Sequence, residues 1–320
     1  MHLYRLGRVS WQDSQLAYHT LAHLGRQGLI LCSPEQPYVS VGYFQDPAQE
    51  LDLEHCRAAG LPVFRREVGG GAVYLDNHQL FWQVVLQRDH PLVSLNRELF
   101  YRRLLGPVVA AYRALGVAAT VAPVNDVAVG ERRIAGTGAG EIGDCVAFVG
   151  NLMRRFDCAA MAGALRAPDE AFRGAYLGYM REHLTSLQRE LGEQREASLA
   201  EEALYDLLAR EFASVLGPLE PRPLDDELRT AMERVGRRLL SDAWTYHPRK
   251  PRPHRKVKVR AGLYLHHWRQ GSLEARFASL EGRVLEASLR GPGQEGAWSE
   301  AHEFVGQEVE ALTSALAKMA

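Results

Sequence analysis

The 320-residue chain is 46% hydrophobic and 24% charged, and longer than most single cores grow, so two domains, or one large domain with an appendage, are expected. A formal net charge of -1 and a pI near 6.9 argue against a basic coat for nucleic acid or membrane, and neither is expected as a partner. Cys32, Cys56, Cys145 and Cys158 have no CxxC spacing, the N-terminus lacks the pattern of an export signal, and no apolar run approaches ~18 residues, which together lead us to expect a reduced, metal-free, cytoplasmic protein.

"HLYRL" reads as a strand, and Ser10 as the N-cap of a helix carrying Leu16, Leu21 and Leu24. "GLILCS", "YVSVGYF", "PVFRR", "AVYL" and "QLFWQVVL" read as short strands bounded by Gly, Pro, Ser or Asp. A helical period runs from Leu95 to Leu115 and stops at Gly116. "AATVA", "DVAVG", "RRIAG" and "CVAFVGNLMRRFD" return to strands, and from Pro168 to Gly217 the pattern is mostly helical, broken at "HLTSLQRELG". The proline-rich "GPLEPRPLDD" marks a boundary, followed by a helix, by "VKVRAGLYLHHW", "SLEARFASL" and "RVLEASLRG" as two or three strands, and by a last helix from about Glu300. Strand pairs without regular βαβ alternation predict an α+β fold, a largely antiparallel or mixed sheet flanked by helices, with a small C-terminal α+β domain. The expected boundaries are 1–218, a linker helix over 219–245, and 246–320.

Two stretches could carry chemistry. In "FRREVGGGAVYLD", Gly69, Gly70 and Gly71 let backbone approach a ligand and expose N–H groups to an anion, while Arg65 and Arg66 alternate so that one faces a given site. In "NDVAVGERRIAGTGAGEIGD", Asn125 and Asp126 open a strand, and an arginine pair and glycines surround Thr137. A surface hairpin explains either stretch alone; the same recipe twice points to a shared anionic ligand. Neither matches a phosphate-loop or dinucleotide fingerprint. "HPRKPRPHRKVKVR" has seven Lys or Arg residues and no acidic one, and reads either as an exposed linker or as a docking surface for an acidic carrier. His266 and His267 are strand neighbours pointing to opposite faces, so they do not form a metal pair.

The order "PYVSVGYFQ", "FRREVGGGAVYLD", "NDVAVGERRIAGTGAG" and "VAFVGNL" resembles the lipoate protein ligase and octanoyltransferase family, which shares a fold with biotin protein ligases. The Thr-Ser-Leu turn in "MREHLTSLQRELG" and the tail beyond "LLSDAWTYHPRKP" resemble the two-domain lipoate ligases. The resemblance implies that lipoate or octanoate and ATP, with Mg2+, give an acyl adenylate, and that the acyl group passes to a lysine on an acidic lipoyl carrier domain. It further implies that Arg66 contacts the nucleotide, that Gly71, Ala72, Val73 and Tyr74 lay backbone against the adenylate, and that Asn125 and Asp126 form the second wall, with Asp126 towards magnesium. Gly69, Gly70, Asp76, Gly136 and Thr137 complete the implied substrate and ATP site.

The chain departs from the family pattern where Arg133 replaces a lysine and where Leu75 and Val149 replace histidines. The family lysine and Asp126 are the implied catalytic pair, so Arg133 inherits that position. Arginine keeps the charge but is planar and bulkier, and it is not equivalent at a tight site. All lysines (Lys250, Lys256, Lys258, Lys318) lie in the C-terminal quarter, so rescue would come from Arg132, Arg133 or a tail lysine. Two alternatives follow: an ATP-independent transferase using Cys145 as nucleophile, or a non-catalytic protein binding lipoate or its carrier. A biotin ligase is weaker, because its GRGR motif is missing.

Overall fold

The computed structural model describes residues 1–123, 125–291 and 297–320. β1 (His2–Val9), α1 (Trp11–His23), β2 (Gly28–Pro34) and β3 (Tyr38–Val41) lead to two short helices, α2 (Pro47–Glu50) and α3 (Leu53–Ala58). β4 (Val63–Arg65), β5 (Val73–Leu75) and β6 (Gln79–Gln87) precede α4 (Arg97–Ala114). Then come β7 (Thr120–Ala122), β8 (Asp126–Val129), β9 (Arg132–Ala135), β10 (Thr137–Ile142) and β11 (Cys145–Met153). A helical stretch follows: α5 (Cys158–Ala164), α6 (Glu170–His183), α7 (Leu187–Leu191), α8 (Glu193–Ala197) and α9 (Glu201–Leu216). β12 (Glu220–Pro221), α10 (Asp226–Leu239) and α11 (Asp242–Thr245) come next. The tail holds β13 (His254–Arg260), β14 (Leu263–Gln270), β15 (Leu273–Leu280), β16 (Arg283–Arg290), β17 (Ser299–Glu300) and α12 (Val309–Met319). Two compact units emerge: Met1–Arg166 with Leu184–Arg249, and Ala167–His183 with Lys250–Ala320.

The first unit is built on a six-stranded sheet ordered β10-β11-β6-β2-β1-β12. It is antiparallel from β10 to β2 and parallel across β2, β1 and β12. Both faces are covered, which is why "QLFWQVVL" is almost continuously apolar rather than alternating. Leu80, Trp82, Val84 and Leu86 of β6 pack with Leu104, Leu105 and Val108 of α4 and Leu204, Leu208 and Phe212 of α9. Phe81 and Val85 face the other way, into a cluster with Leu16 and Leu21 of α1 and Leu228, Met232 and Leu239 of α10. Each such side chain contributes ~1.5–3 kcal/mol by leaving water. Two smaller sheets, β4-β3-β5 and β7-β8-β9, flank the triple-glycine loop and carry Asp126 and the second arginine pair, while the glycines of "TGAGEI" lie on β10 of the main sheet.

The second unit is an antiparallel sheet, β13-β14-β15-β16-β17, with α6 and α12. Trp268, Phe277, Val284, Leu312 and Leu316 form its core. Asp169 pairs with Arg276 at 2.9 Å, and Tyr179 donates to Glu286 at 2.9 Å.

Ser10 caps α1 by accepting from the Asp13 N–H, as the sequence predicts, and the helix expected over 95–115 spans Arg97–Ala114 behind an Asn96 cap. Other elements differ. "VKVRAGLYLHHW" is a hairpin, β13 and β14, because Gly262 takes a left-handed φ of 76°. The last helix starts at Val309 rather than near Glu300: Ser299–Glu300 pairs with β16, and Gly306 turns the chain at φ 83°. "TGAGEI" forms β10, although glycines disfavour strands, because β11 supplies a full ladder of partners.

Candidate functional site

The triple-glycine loop leaves β4 at Arg65 and re-enters the sheet at Val73. Its local cause is packing at three points. The Gly69 N–H donates to the Ala139 carbonyl of β10 at 3.0 Å, and the Tyr43 N–H donates to the Val68 carbonyl at 3.0 Å. A Cβ on Gly42 would stand 2.1 Å from the Gly70 oxygen, one on Gly140 would stand 2.9 Å from Val68 Cα, and Gly70 itself has φ +102°. Much of the glycine content in both motifs therefore lets backbone lie against backbone. Gly71 and Gly136 are different, since nothing lies within 4 Å of a Cβ at either position. Gly70 and Gly71 are exposed, Ala72 and Val73 half-buried, and Tyr74 buried.

Arg66 is the staple of this loop. Its Nε and Nη2 donate to the Gly69 carbonyl at 3.2 and 3.0 Å, and Nη2 also donates to the Gly71 carbonyl at 2.7 Å. Nη1 donates to the carbonyl and hydroxyl oxygens of Ser40 at 3.0 and 3.2 Å. These bonds occupy the donors of a guanidinium, so in this conformation Arg66 is turned to the loop's own carbonyls. Burial lowers its pKa from the ordinary arginine value. Arg65 takes a separate course: its Nη2 donates to the His247 carbonyl at 2.6 Å, and the Trp244 indole N–H donates to the Arg65 carbonyl at 2.8 Å. Residues 247–249 of the basic run thus pack on the first unit, Arg249 donating from its backbone N–H to Asp46 at 2.9 Å. Residues 254–260 of the run form β13.

The second motif lies beside the first. A Cβ on Gly138 would approach the Gly69 oxygen to 3.1 Å, which fixes how closely the two glycine stretches run. Thr137 Oγ1 donates to the Asn125 carbonyl at 2.6 Å, and Asn125 Nδ2 donates to the Thr137 carbonyl at 3.4 Å. Asp126 is 1% exposed at the start of β8. Arg133 pairs with Ala128 across β8 and β9, its carbonyl accepts the Thr185 N–H at 2.9 Å, and its half-buried side chain has a buried Nε with no hydrogen-bond partner among the described residues. The Thr-Ser-Leu turn therefore abuts the arginine pair, and Arg132 reaches Glu190 of α7 at 2.9 Å.

Asp76 is buried, and burial raises its pKa; it accepts from the His78 N–H at 3.0 Å and from Gln79 Nε2 at 3.3 Å. Gln79 and Asn151, which the sequence reading passed over, tie the two motifs together through side-chain amides. The signal was present: buried amides, Gln79 and Gln83 on β6 and Asn151 on β11, sit in mainly apolar strands that are buried on both faces. Cys145 opens β11, roughly 17 Å along the strand from Gly150 at ~3.3 Å per residue. It is fully buried, and burial raises its thiol pKa. His266 and His267 take opposite faces of β14 as anticipated: His266 meets His254 at 2.8 Å and Ser279 at 2.8 Å, while His267 lies 3.8 Å from Glu274. Among the described residues, no cluster of three or more His, Cys, Asp or Glu side chains could hold a metal ion, and no helix is long and apolar enough to cross a membrane.

The α+β scaffold lays two glycine-rich edges side by side, one of them stapled by a buried arginine. Residues 10–213 match the lipoyl protein ligase A/B catalytic domain, and the chain belongs to that family. An octanoyltransferase LipM of Kyrpidia tusciae is 28% identical over 235 residues, spanning 66% of this chain and 84% of the relative. Lipoate-protein ligase A subunit 1 of Thermoplasma acidophilum is 28% identical over 159 residues, 47% of this chain and 59% of the relative. Among solved structures, the bipartite lipoate protein ligase of T. acidophilum superposes with a TM-score of 0.68 at 22% identity, covering 78% of this chain and 98% of that one. A lipoate-protein ligase A bound with ATP superposes at 0.62 with 19% identity, covering 77% and 98%. The fold anticipated from the motifs is thus the fold observed, and the chain belongs to a family of lipoate ligases and octanoyltransferases.

Proposed function

We propose that this protein activates lipoate or octanoate with ATP and passes the acyl group to a lysine of an acidic lipoyl carrier domain. The observation carrying this reading is the contact of the two glycine motifs, Gly69 N–H to Ala139 carbonyl, with open space left over Gly71 and Gly136. In the first step a carboxylate oxygen attacks the α-phosphorus and pyrophosphate leaves. In the second, the lysine amine attacks the acyl carbonyl, AMP leaves, and the amine loses a proton. Both partners of the first step are anions, so the protein's task is to position them and supply positive charge and N–H donors. Gly70, Gly71, Ala72 and Val73 offer the backbone wall, Asn125, Gly136 and Thr137 the facing edge, and Arg133 the cation. Asp126 is a single carboxylate, which suits Mg2+ held mostly by the substrate's phosphates. Arg66 acts behind the loop, holding its carbonyls so that the wall keeps its shape.

A second reading, transfer of an octanoyl group without ATP, draws support from the relatives named octanoyltransferase LipM, matched along 84% and 71% of their lengths. Cys145 suits that chemistry poorly, since an attacking thiol must be accessible and readily ionised, whereas this one is buried and burial raises its pKa. The deciding experiment measures ATP–pyrophosphate exchange with lipoate and octanoate, and acyl transfer from an octanoyl carrier domain without ATP, for the parent, Arg133→Lys and Cys145→Ala. The ligase reading expects exchange by the parent, faster exchange by Arg133→Lys, and no loss in Cys145→Ala. Transfer without ATP that disappears in Cys145→Ala would establish the thioester route instead. Ligand binding with neither activity would leave a binding protein.

A further inference from the structure

Buried amides are rare in strands covered on both faces, and each must find its partners or lose free energy. Gln79, 0% exposed on β6, and Asn151, 8% exposed on β11, find them in each other and in the candidate site. Gln79 pairs across the ladder with Met153, and Asn151 with Phe81, so the two amides are diagonal neighbours on one sheet face. Asn151 Nδ2 donates to Gln79 Oε1 at 2.6 Å. At one end, Gln79 Nε2 donates to the Tyr74 carbonyl at 3.2 Å and to Asp76 Oδ1 at 3.3 Å. At the other, the Gly136 N–H donates to Asn151 Oδ1 at 3.3 Å. The polarity runs one way, from the Gly136 N–H through two amides to the Asp76 carboxylate. Gly150 permits the approach, because a Cβ there would stand 2.8 Å from the Gly136 oxygen and 2.3 Å from Trp82.

We propose that Gln79 and Asn151 form an amide relay that sets the spacing between the wall at Tyr74 and Asp76 and the wall at Gly136, and that both are positioning residues for acyl activation and transfer. The inference rests on the acyl-transfer reading for its consequence, and on the hydrogen-bond chain alone for its existence. A spacing error at a site that aligns two anions lowers turnover more than it lowers affinity for either. The Gln79 side chain bonds to Tyr74, Asp76 and Asn151, and the Gly136 N–H bonds to Asn151, so the hydrogen-bond route from a Gln79 substitution to Gly136 runs through Asn151.

Two readouts test this separately. Hydrogen exchange at the Gly136 amide, followed by NMR, should speed up about tenfold or more in Gln79→Ala, although the altered side chain is one residue removed. Unchanged exchange overturns the relay. For turnover, Gln79→Ala and Asn151→Ala should each lower kcat about tenfold or more, with KM for the carboxylic acid within about threefold, and the double variant should lose no more than the worse single one. Additive losses, or losses that follow the folded fraction, overturn the positioning role. Should Gln79→Ala fail to fold, Gln79→Glu serves: it still accepts from Asn151 but cannot donate to Tyr74, so Gly136 protection stays while kcat falls. Exchange and kcat both at parental values in Gln79→Glu would overturn the proposal. If the parent has no turnover under any condition, the functional reading fails while the exchange experiment still decides the relay.

Discussion

Glycines that look alike in the triple-glycine motif and its neighbours do different work, and single substitutions separate them. Gly42→Ala drives a methyl into the Gly70 oxygen, backbone against backbone, and should destabilise the first unit by ~1–3 kcal/mol or more in denaturant unfolding. Gly71→Ala meets open space at an ordinary φ, so its stability should stay within ~0.5 kcal/mol of the parent while ligand affinity or turnover falls. Equal stability losses in the two variants would contradict this division of roles. Arg66→Ala strips the donors from the buried Ser40 carbonyl, the half-buried Gly69 carbonyl and the exposed Gly71 carbonyl; the unpartnered buried group costs ~1–3 kcal/mol, and the two that water can reach cost less. A large fall in unfolding free energy is the expected outcome, with Arg66→Lys intermediate because an ammonium has fewer donors and no fork. An Arg66→Ala protein with parental stability and lost nucleotide affinity would mark Arg66 as a direct ligand contact.

At the scale of elements, the stretch following Arg66 is clamped by α1 and α10. Glu67 bonds His23 of α1 at 2.6 Å and Arg238 of α10 at 2.6 Å, and its backbone N–H donates to Nε2 of His19 at 3.0 Å. His19 Nδ1 faces the Gln15 carbonyl at 2.7 Å, so the ring is neutral, with its proton on Nδ1 and an acceptor towards Glu67. Burial, only partly offset by the Glu67 carboxylate, lowers the His19 pKa from 6.5 to about 4. A depressed folded pKa means this contribution is whole above pH 6.5 and lost as pH falls towards 4, because the unfolded chain takes up the proton first. The loss is on the order of 3 kcal/mol. Glu67 is held down to about 2; burial opposes this, but the bond to His23 and the charges around it outweigh burial, and its own contribution is lost from 4.5 towards 2, mostly below the His19 window. Unfolding curves between pH 7 and 4 should therefore flatten in His19→Gln, which cannot titrate; curves parallel to the parent's would refute the assignment.

For the molecule as a whole, the second unit is discontinuous in sequence. α6 groups with the tail, touches β13, and is tied to β15 and β16 by Asp169–Arg276 and Tyr179–Glu286. Cutting the chain after Arg249 leaves α6 behind without these partners, so the truncated protein should have lower soluble yield and a hydrogen-exchange signature of a melted α6. Full protection of α6 in the truncated chain would show that the helix does not depend on the tail.

Strand and helix positions in the first unit were largely legible, because burial on both faces writes apolar runs and the caps at Ser10 and Asn96 write helix starts. The two glycine motifs were legible as a pair, and the family followed from their order. What the sequence determined by itself was chemistry at fixed spacing: which segments carry arginine, glycine and carboxylate, and that Arg133 stands where a lysine is expected. Tertiary structure alone decided which glycines face a neighbour and which face open space, that Arg66 turns inward to the loop's carbonyls, that "TGAGEI" becomes a strand, and that Gln79 meets Asn151. These are contacts between segments tens of residues apart, such as Gly69 with Ala139 and Gln79 with Asn151. Local propensity does not encode the partner of a backbone N–H or a buried amide; the packing of the sheets supplies it.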